Sequence, residues 1–188
     1  MLSDREQIIL CDVDGVVVQG MLAEWLRRYN NDWNDDLSVD EITEWSLLPF
    51  VKPECGKKIY SYLNDVDFYD NLYIDGESLW GVRKLQELPS TRVVFLSAGI
   101  AGALGKYKIL NRHALISTEK DFVCASDKSL VYGDAMIDDY EENIFSFYKR
   151  NPKGTGLLFD ALYNRHVEMT RVRSWLDIVN FFNFTGKL

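Results

Sequence analysis

The sequence predicts an α/β fold, a three-layer parallel sheet core with a small helical cap inserted after the first strand. Three observations carry that expectation. Short apolar runs alternate with amphipathic ones along most of the 188 residues, the order expected of strands and helices taken in turn. The apolar runs are continuous and rich in β-branched residues, as strands buried on both faces are. One interval, residues 20–73, drops the strand signal and reads as helix alone. The expected division is therefore residues 1–19 and 74–188 for the core and residues 20–73 for the cap.

The elements follow in chain order. Residues 7–13 (QIILCDV) form an apolar run ending in acid, short enough for a buried strand. In the cap, a first helix runs from Met21 to Asn30. A second starts at Ser38, where Glu41 three residues on completes a capping box. A third begins at Pro53, a good first-turn residue. Residues 75–88 place Leu79, Val82, Leu85 and Leu88 at helical spacing, with Asp75 or Ser78 as the cap. Residues 92–97 (RVVFLS), 122–125, 129–137 and 156–159 (GLLF) read as further strands. Residues 101–110, 140–148 and 174–182 read as helices, the last packing on the sheet.

Composition excludes several classes. Hydrophobic residues make up 47% of the chain and charged residues 27%, too apolar for a disordered chain. No apolar run approaches the roughly 18 residues a membrane helix needs. The N-terminal MLSDREQ has no basic region of the kind a signal peptide carries. Three cysteines, Cys11, Cys55 and Cys124, cannot all pair, which fits free thiols and a cytoplasmic location. A net charge of −8 argues against nucleic acid or an anionic membrane as partner.

The acids at strand ends carry the chemistry. Asp12 and Asp14 fall at the end of the first strand, two residues apart and so on one side, with Gly15 allowing a sharp turn. Alone, this is either a capped strand end with two solvated acids or half of a cation site, because neighbouring carboxylates repel without a cation or shared proton. Ser97-Ala98-Gly99 adds a hydroxyl and flexible backbone N–H groups after another strand. Lys128 and the run Gly133-Asp134-Ala135-Met136-Ile137-Asp138-Asp139 add a base and more acids. Three carboxylates suit Mg2+, a hard cation often shared with phosphate, and a lysine with a hydroxyl suits the remaining phosphate oxygens.

In this order the motifs resemble those of the haloacid dehalogenase-like superfamily of phosphotransferases. DVDGVV is similar to its first motif, the strand ending FLSAG to its second, Lys128 to its third and GDAMIDD to its fourth. Receiver domains use an overlapping toolkit but place the acid pair first and the lysine last, unlike this chain. The segments DFYDNLYIDGESLWGVRKLQEL, KSLVYGDAMIDD and GTGLLFDALYNR further resemble the 5'(3')-deoxyribonucleotidase family. Two departures stand out: Ser97-Ala98 replaces a threonine followed by serine, and Ser126 replaces an arginine two residues before the lysine.

The resemblance implies a Rossmann-like core and hydrolysis of a (deoxy)nucleoside monophosphate through an aspartyl-phosphate. Asp12 is the implied nucleophile and Asp14 the acid and base. Mg2+ is the implied cofactor, between Asp12, the Asp14 backbone carbonyl and the last acids. Asp139 is then the direct ligand and Asp138 its neighbour, with a register using Asp134 left open. Ser97, Ala98 and Lys128 are the implied phosphate contacts. Of the cap aromatics, Trp45 or Phe50 is expected to stack on a base. The expected partner is a small-molecule nucleoside monophosphate, with at most a second copy of the chain as a homodimer. The alternatives are another small phosphate monoester, a polynucleotide 3'-phosphate, or a silent binding protein of the same fold. Cys11, Cys55, Cys124, His113 and His166 lack any catalytic or metal pattern and read as structural. The six acids of residues 32–44 read as a solvated face.

Overall fold

The computed structural model describes residues 5–185. Strands β1 (Gln7–Cys11), β2 (Thr91–Ser97), β3 (Phe122–Cys124), β4 (Ala135–Asp138), β5 (Thr155–Phe159) and β6 (Arg171–Val172) form one parallel sheet. Their spatial order is β3-β2-β1-β4-β5-β6. β1 lies at the centre, with Ile9 in register with Val93 on one side and Ala135 on the other.

The strand interiors are apolar because helices cover both faces. On one face Ile9, Val93, Phe95, Ile137 and Leu157 join a core with α2 (Gly76–Gln86), α3 (Ala103–Arg112) and α5 (Trp175–Thr185), through Val82, Leu85, Ile109, Trp175 and Ile178. The alternate strand residues Leu10, Val94, Leu96, Met136 and Leu158 pack instead on Ile144 and Phe147 of α4 (Glu141–Arg150). Each such side chain, fully buried, is worth on the order of 1.5–3 kcal/mol. α2 lies close to α5 because Gly81 has no side chain; a Cβ there would meet Trp175 Cβ at 2.6 Å. Its first turn is capped by Asp75, whose Oδ1 accepts from Ser78 N at 2.6 Å.

Between Gly20 and Tyr73 the chain forms α1 (Met21–Trp33) and three 3-10 segments, Val39–Glu41, Gly56–Asn64 and Val66–Asn71. Leu26, Tyr29, Ile42, Leu47, Val51, Cys55 and Ile59 bury one another in a cluster separate from the sheet's. The two strands of chain that join this segment to the sheet pair with each other. Gln19 N donates to Tyr73 O at 2.7 Å and Tyr73 N to Gln19 O at 3.3 Å. Gly20 turns the chain there at a left-handed φ of 88°.

Several expectations need correcting. Ser38 and Glu41 do form the capping box, with Glu41 Oε2 accepting from Ser38 N at 2.8 Å, but it closes a single 3-10 turn and not a helix. Pro53 lies in a turn ahead of the 3-10 segment and does not open it. The expected strand 129–137 is strand only from Ala135. Asp127 accepts from Ser129 N at 3.0 Å and folds Lys128–Leu130 into a 3-10 turn. The two-residue strand β6 carries too little sequence to be legible. No helix among the described residues is long and apolar enough to cross a membrane.

Candidate active site

The chain leaves β1 toward β2 and β3 on one side and returns to β4, β5 and β6 on the other. The carboxyl end of β1 therefore opens on the crevice where ligands of such sheets bind. Gly15 lets the chain turn away there at a φ of 77°, and a side chain at that position would collide with the Asp139 carboxylate. Asp12, Asp138 and Asp139 converge at this edge, each offering a carboxylate oxygen within 4.8 Å of the others'. All three are buried.

Lys128 is wedged between two of them, its Nζ donating to Asp12 Oδ1 at 2.6 Å and to Asp138 Oδ2 at 2.7 Å. The 3-10 turn that disrupted the expected strand is what brings it there. Burial disfavours the Lys128 ammonium, but Asp12 and Asp138 together outweigh it and hold the pKa above the usual lysine range. Asp138 is further held by Tyr140 N at 2.9 Å and Asn143 Nδ2 at 3.0 Å. Burial nonetheless lifts its carboxyl to about 6 against the pull of Lys128. Asp139 is lifted well above the carboxylate range, first by burial and then by Asp12 and Asp138. Its Oδ2 accepts from the Tyr163 hydroxyl, while its Oδ1 is buried with no hydrogen-bond partner. Burial, followed by the Asp139 charge, raises the Tyr163 pKa, which keeps the hydroxyl a donor.

Asp14 sits beside the cluster and pairs with Lys106. Burial raises its pKa and Lys106 opposes the rise. Lys106 also donates to Ser97 Oγ at 2.8 Å, so one ammonium ties together the first acid loop and the end of β2. Ala98 is exposed beside it. Four carboxylates thus face two ammonium groups in a buried space. That imbalance of two negative charges, with an orphaned carboxylate oxygen, fits a divalent cation.

Asp134 is not part of the cluster. It lies at the opposite end of β4, accepting from Ile8 N at 2.9 Å and pairing with Arg5. Above the acids lies a cavity of about 510 Å³, walled by Met21, Leu22, Trp25 and Trp45 from the inserted segment and by Asp139 and Tyr163 from the sheet side. Phe50, the alternative to Trp45, packs against the inserted segment's own cluster and is not in the cavity wall.

Cys11 is buried with its thiol pushed up by burial, and Cys55 is buried in the inserted segment's cluster. His166 is exposed and 3.7 Å from Glu141. Lys106 and Tyr163 were not anticipated from sequence. Lys106 was legible only as a lysine sharing a helix face with Ile109 and Leu110, a place where a charge needs a partner. Tyr163 lies in the segment GTGLLFDALYNR that carries the family resemblance, but no pattern there gives the residue itself a role.

A family model described as "5' nucleotidase, deoxy (Pyrimidine), cytosolic type C protein" matches residues 6–187. A 5'(3')-deoxyribonucleotidase of Clostridium acetobutylicum is 33% identical over 158 residues, covering 82% of this chain and 83% of the relative. A 5'(3')-deoxyribonucleotidase of Bacillus subtilis is 26% identical over 176 residues, covering 92% and 96%. Among solved structures, a haloacid dehalogenase family hydrolase of Deinococcus radiodurans with bound phosphate and sodium superposes at a TM-score of 0.65. It is 14% identical, and 98% of each chain is covered.

Proposed function

The chain belongs to the family of cytosolic type C deoxy (pyrimidine) 5' nucleotidases, phosphoric monoester hydrolases of the haloacid dehalogenase-like superfamily, and from that premise we propose that it is a Mg2+-dependent phosphatase of deoxynucleoside monophosphates. The observation that carries the reading is the meeting of the Asp12, Asp138 and Asp139 carboxylates with Lys128 directly beneath an aromatic-walled cavity.

In this mechanism Asp12 attacks phosphorus in line. The ester P–O bond breaks as the Asp12 O–P bond forms, giving an aspartyl-phosphate and an alkoxide. Asp14, whose pKa burial raises, gives its proton to that alkoxide. Water then attacks phosphorus, Asp14 takes a proton from it, and the Asp12 O–P bond breaks to release phosphate. Lys128 holds Asp12 in place and meets the negative charge of the transferring group. Lys106, joined to Asp14 and to the Ser97 hydroxyl, adds a second positive charge to the site, which the exposed Ser126 cannot.

Asp12, the Asp14 backbone carbonyl and Asp139 would hold Mg2+, with Asp138 orienting Lys128. The ion would supply charge neutralisation and orientation for the phosphoryl oxygens. Asp138 is committed to Lys128, Tyr140 and Asn143, whereas Asp139 keeps a free oxygen, which supports Asp139 as the direct ligand. Residues 20–73 act as a cap over this site, and Trp45 offers the base a stacking surface.

The test is phosphate release across nucleoside monophosphates, di- and triphosphates and sugar phosphates, with Mg2+ and with chelator. The proposal expects deoxynucleoside monophosphates to be turned over best and chelator to abolish turnover. Preference for a sugar phosphate, or full turnover after exhaustive metal removal, would overturn it.

A further inference from the structure

Trp45 does not stand alone in the cavity wall. Its indole lies nearly parallel to the Tyr140 ring, with centroids 4.5 Å apart at an angle of 14°, and meets the Tyr163 ring edge-on at 5.3 Å. The three rings come from separate places: the inserted segment, the turn after β4 and the 3-10 turn Leu162–Asn164 after β5. Trp45 is half exposed, so burial in its own segment does not fix it; these two rings of the sheet domain do.

Tyr163 is the member of the trio that reaches the acids, donating to Asp139 Oδ2. The turn that carries it is anchored to the same residue. Asn164, fully buried, donates from Nδ2 to Asp139 O and to Phe159 O, both at 2.7 Å. Arg171 in turn donates to Asn164 O at 2.9 Å. The backbone at Tyr163 is thus locked to Asp139, and what remains adjustable is the tilt of the Tyr163 ring, which Trp45 abuts.

We propose that Tyr163 is a positioning residue through which the seating of the cap sets the geometry of the cation site. Its hydroxyl fixes Asp139 Oδ2, so that Oδ1, buried and without a partner, is left free for a cation at the carboxylate cluster. Trp45 supports the Tyr163 ring only when the cap rests on Tyr140. Partners behind a metal ligand of this kind are worth about 10–100-fold in metal affinity or activity. The inference rests on Asp139 being a cation ligand, not on which nucleotide is hydrolysed.

The experiment measures Mn2+ affinity without substrate, from the electron paramagnetic resonance of the free ion. The proteins are wild type, Tyr163→Phe, Trp45→Ala and the double variant, with thermal unfolding in chelator as the check that each is folded. Tyr163→Phe keeps the ring against Trp45 and loses only the hydroxyl, and should weaken Mn2+ binding about 10-fold. Trp45→Ala should weaken it several-fold in the wild-type background and not at all in the Tyr163→Phe background, because the hydroxyl it acts through is gone. Trp45→Phe, which retains a stacking ring, should restore most of the affinity. Wild-type affinity in Tyr163→Phe overturns the proposal. So does a Trp45→Ala effect of equal size in both backgrounds, which would make the two rings independent. Since no substrate is present, failure of the nucleotide screen and failure of this test are separate results.

Discussion

Lys128 is held by two acids at once, and its own side chain is 3% exposed. Removing one partner of a buried ionic group typically costs about 3–5 kcal/mol, because the charges left behind have no solvent. Lys128→Met should therefore do two things. It should lower turnover by about 10²–10³, as loss of one donor to a developing anion does, and it should lower unfolding stability in chelator by a few kcal/mol. Steady-state kinetics and urea unfolding read these separately. Loss of stability with unchanged turnover would make Lys128 a structural cation only. Asp12→Asn separates the two roles in the other direction. The amide keeps the shape and removes one buried charge, but it cannot form an acyl phosphate. Turnover should fall below about a thousandth of wild type, some 4 kcal/mol of barrier, while the fold survives. A larger residual rate would point to direct attack by water. Both residues were legible in sequence because each ends or precedes an apolar run. Lys106 was not, since its partners Asp14 and Ser97 lie on other elements and meet it only through the packing of α3.

At the scale of elements, the sheet was readable because burial on both faces leaves an unbroken apolar signature, as in residues 8–11 and 93–96. The 3-10 segments were not, because their ends are set by side chains such as Asp127 and by tertiary contacts, not by a period in the sequence. The join between α1 and the rest of the protein shows the same dependence. Glu24 is buried on α1 and accepts from Arg27 Nε at 2.7 Å, Arg28 Nε at 2.6 Å and Asn71 Nδ2 at 3.1 Å. Asn71 lies two residues before Tyr73, where the inserted segment's second connection pairs with Gln19. The bond from Arg27, opposed by burial and aided by Arg28 and Asn71, brings the Glu24 carboxyl down to about 2. A carboxyl lowered on folding contributes stability that is complete above its unfolded value, about 4.3, and is lost as pH falls toward its folded value. Arg27 is well exposed, so solvent screens part of the gain, and about 1–2 kcal/mol is the expected contribution at neutral pH. Glu24→Gln should lose that amount at pH 7 and should match wild type near pH 2. Urea unfolding across that range checks the sign; a difference that persists unchanged to pH 2 would assign the loss to packing and not to charge.

For the whole molecule, the same acids that suit the site for a cation oppose folding without one. Asp12, Asp14, Asp138 and Asp139 outnumber Lys106 and Lys128 by two in a buried space, in a chain whose net charge is already −8. Asp139 bears the most of this, since burial and two neighbouring acids disfavour its charged form and one of its oxygens has no hydrogen bond. Stability and activity then pull in opposite directions at this residue, as is common where a site is built for a ligand and not for the fold. Asp139→Asn removes one charge while the amide can still accept from Tyr163. In chelator it should raise stability by about 1–2 kcal/mol, a melting shift of about 2–8 °C for a chain of this size. Adding Mg2+ at a hundred times its dissociation constant should stabilise the wild type by about 2.7 kcal/mol and the variant far less, because only the folded wild type holds the ion well. The order of the two melting temperatures should therefore invert between chelator and Mg2+. Thermal unfolding of both proteins under both conditions reads all four values. If Asp139→Asn is the less stable protein in chelator as well, Asp139 is a structural acid whose charge the fold requires. The cation would then have to be held by Asp12 and Asp138 alone, which the commitment of Asp138 to Lys128, Tyr140 and Asn143 speaks against.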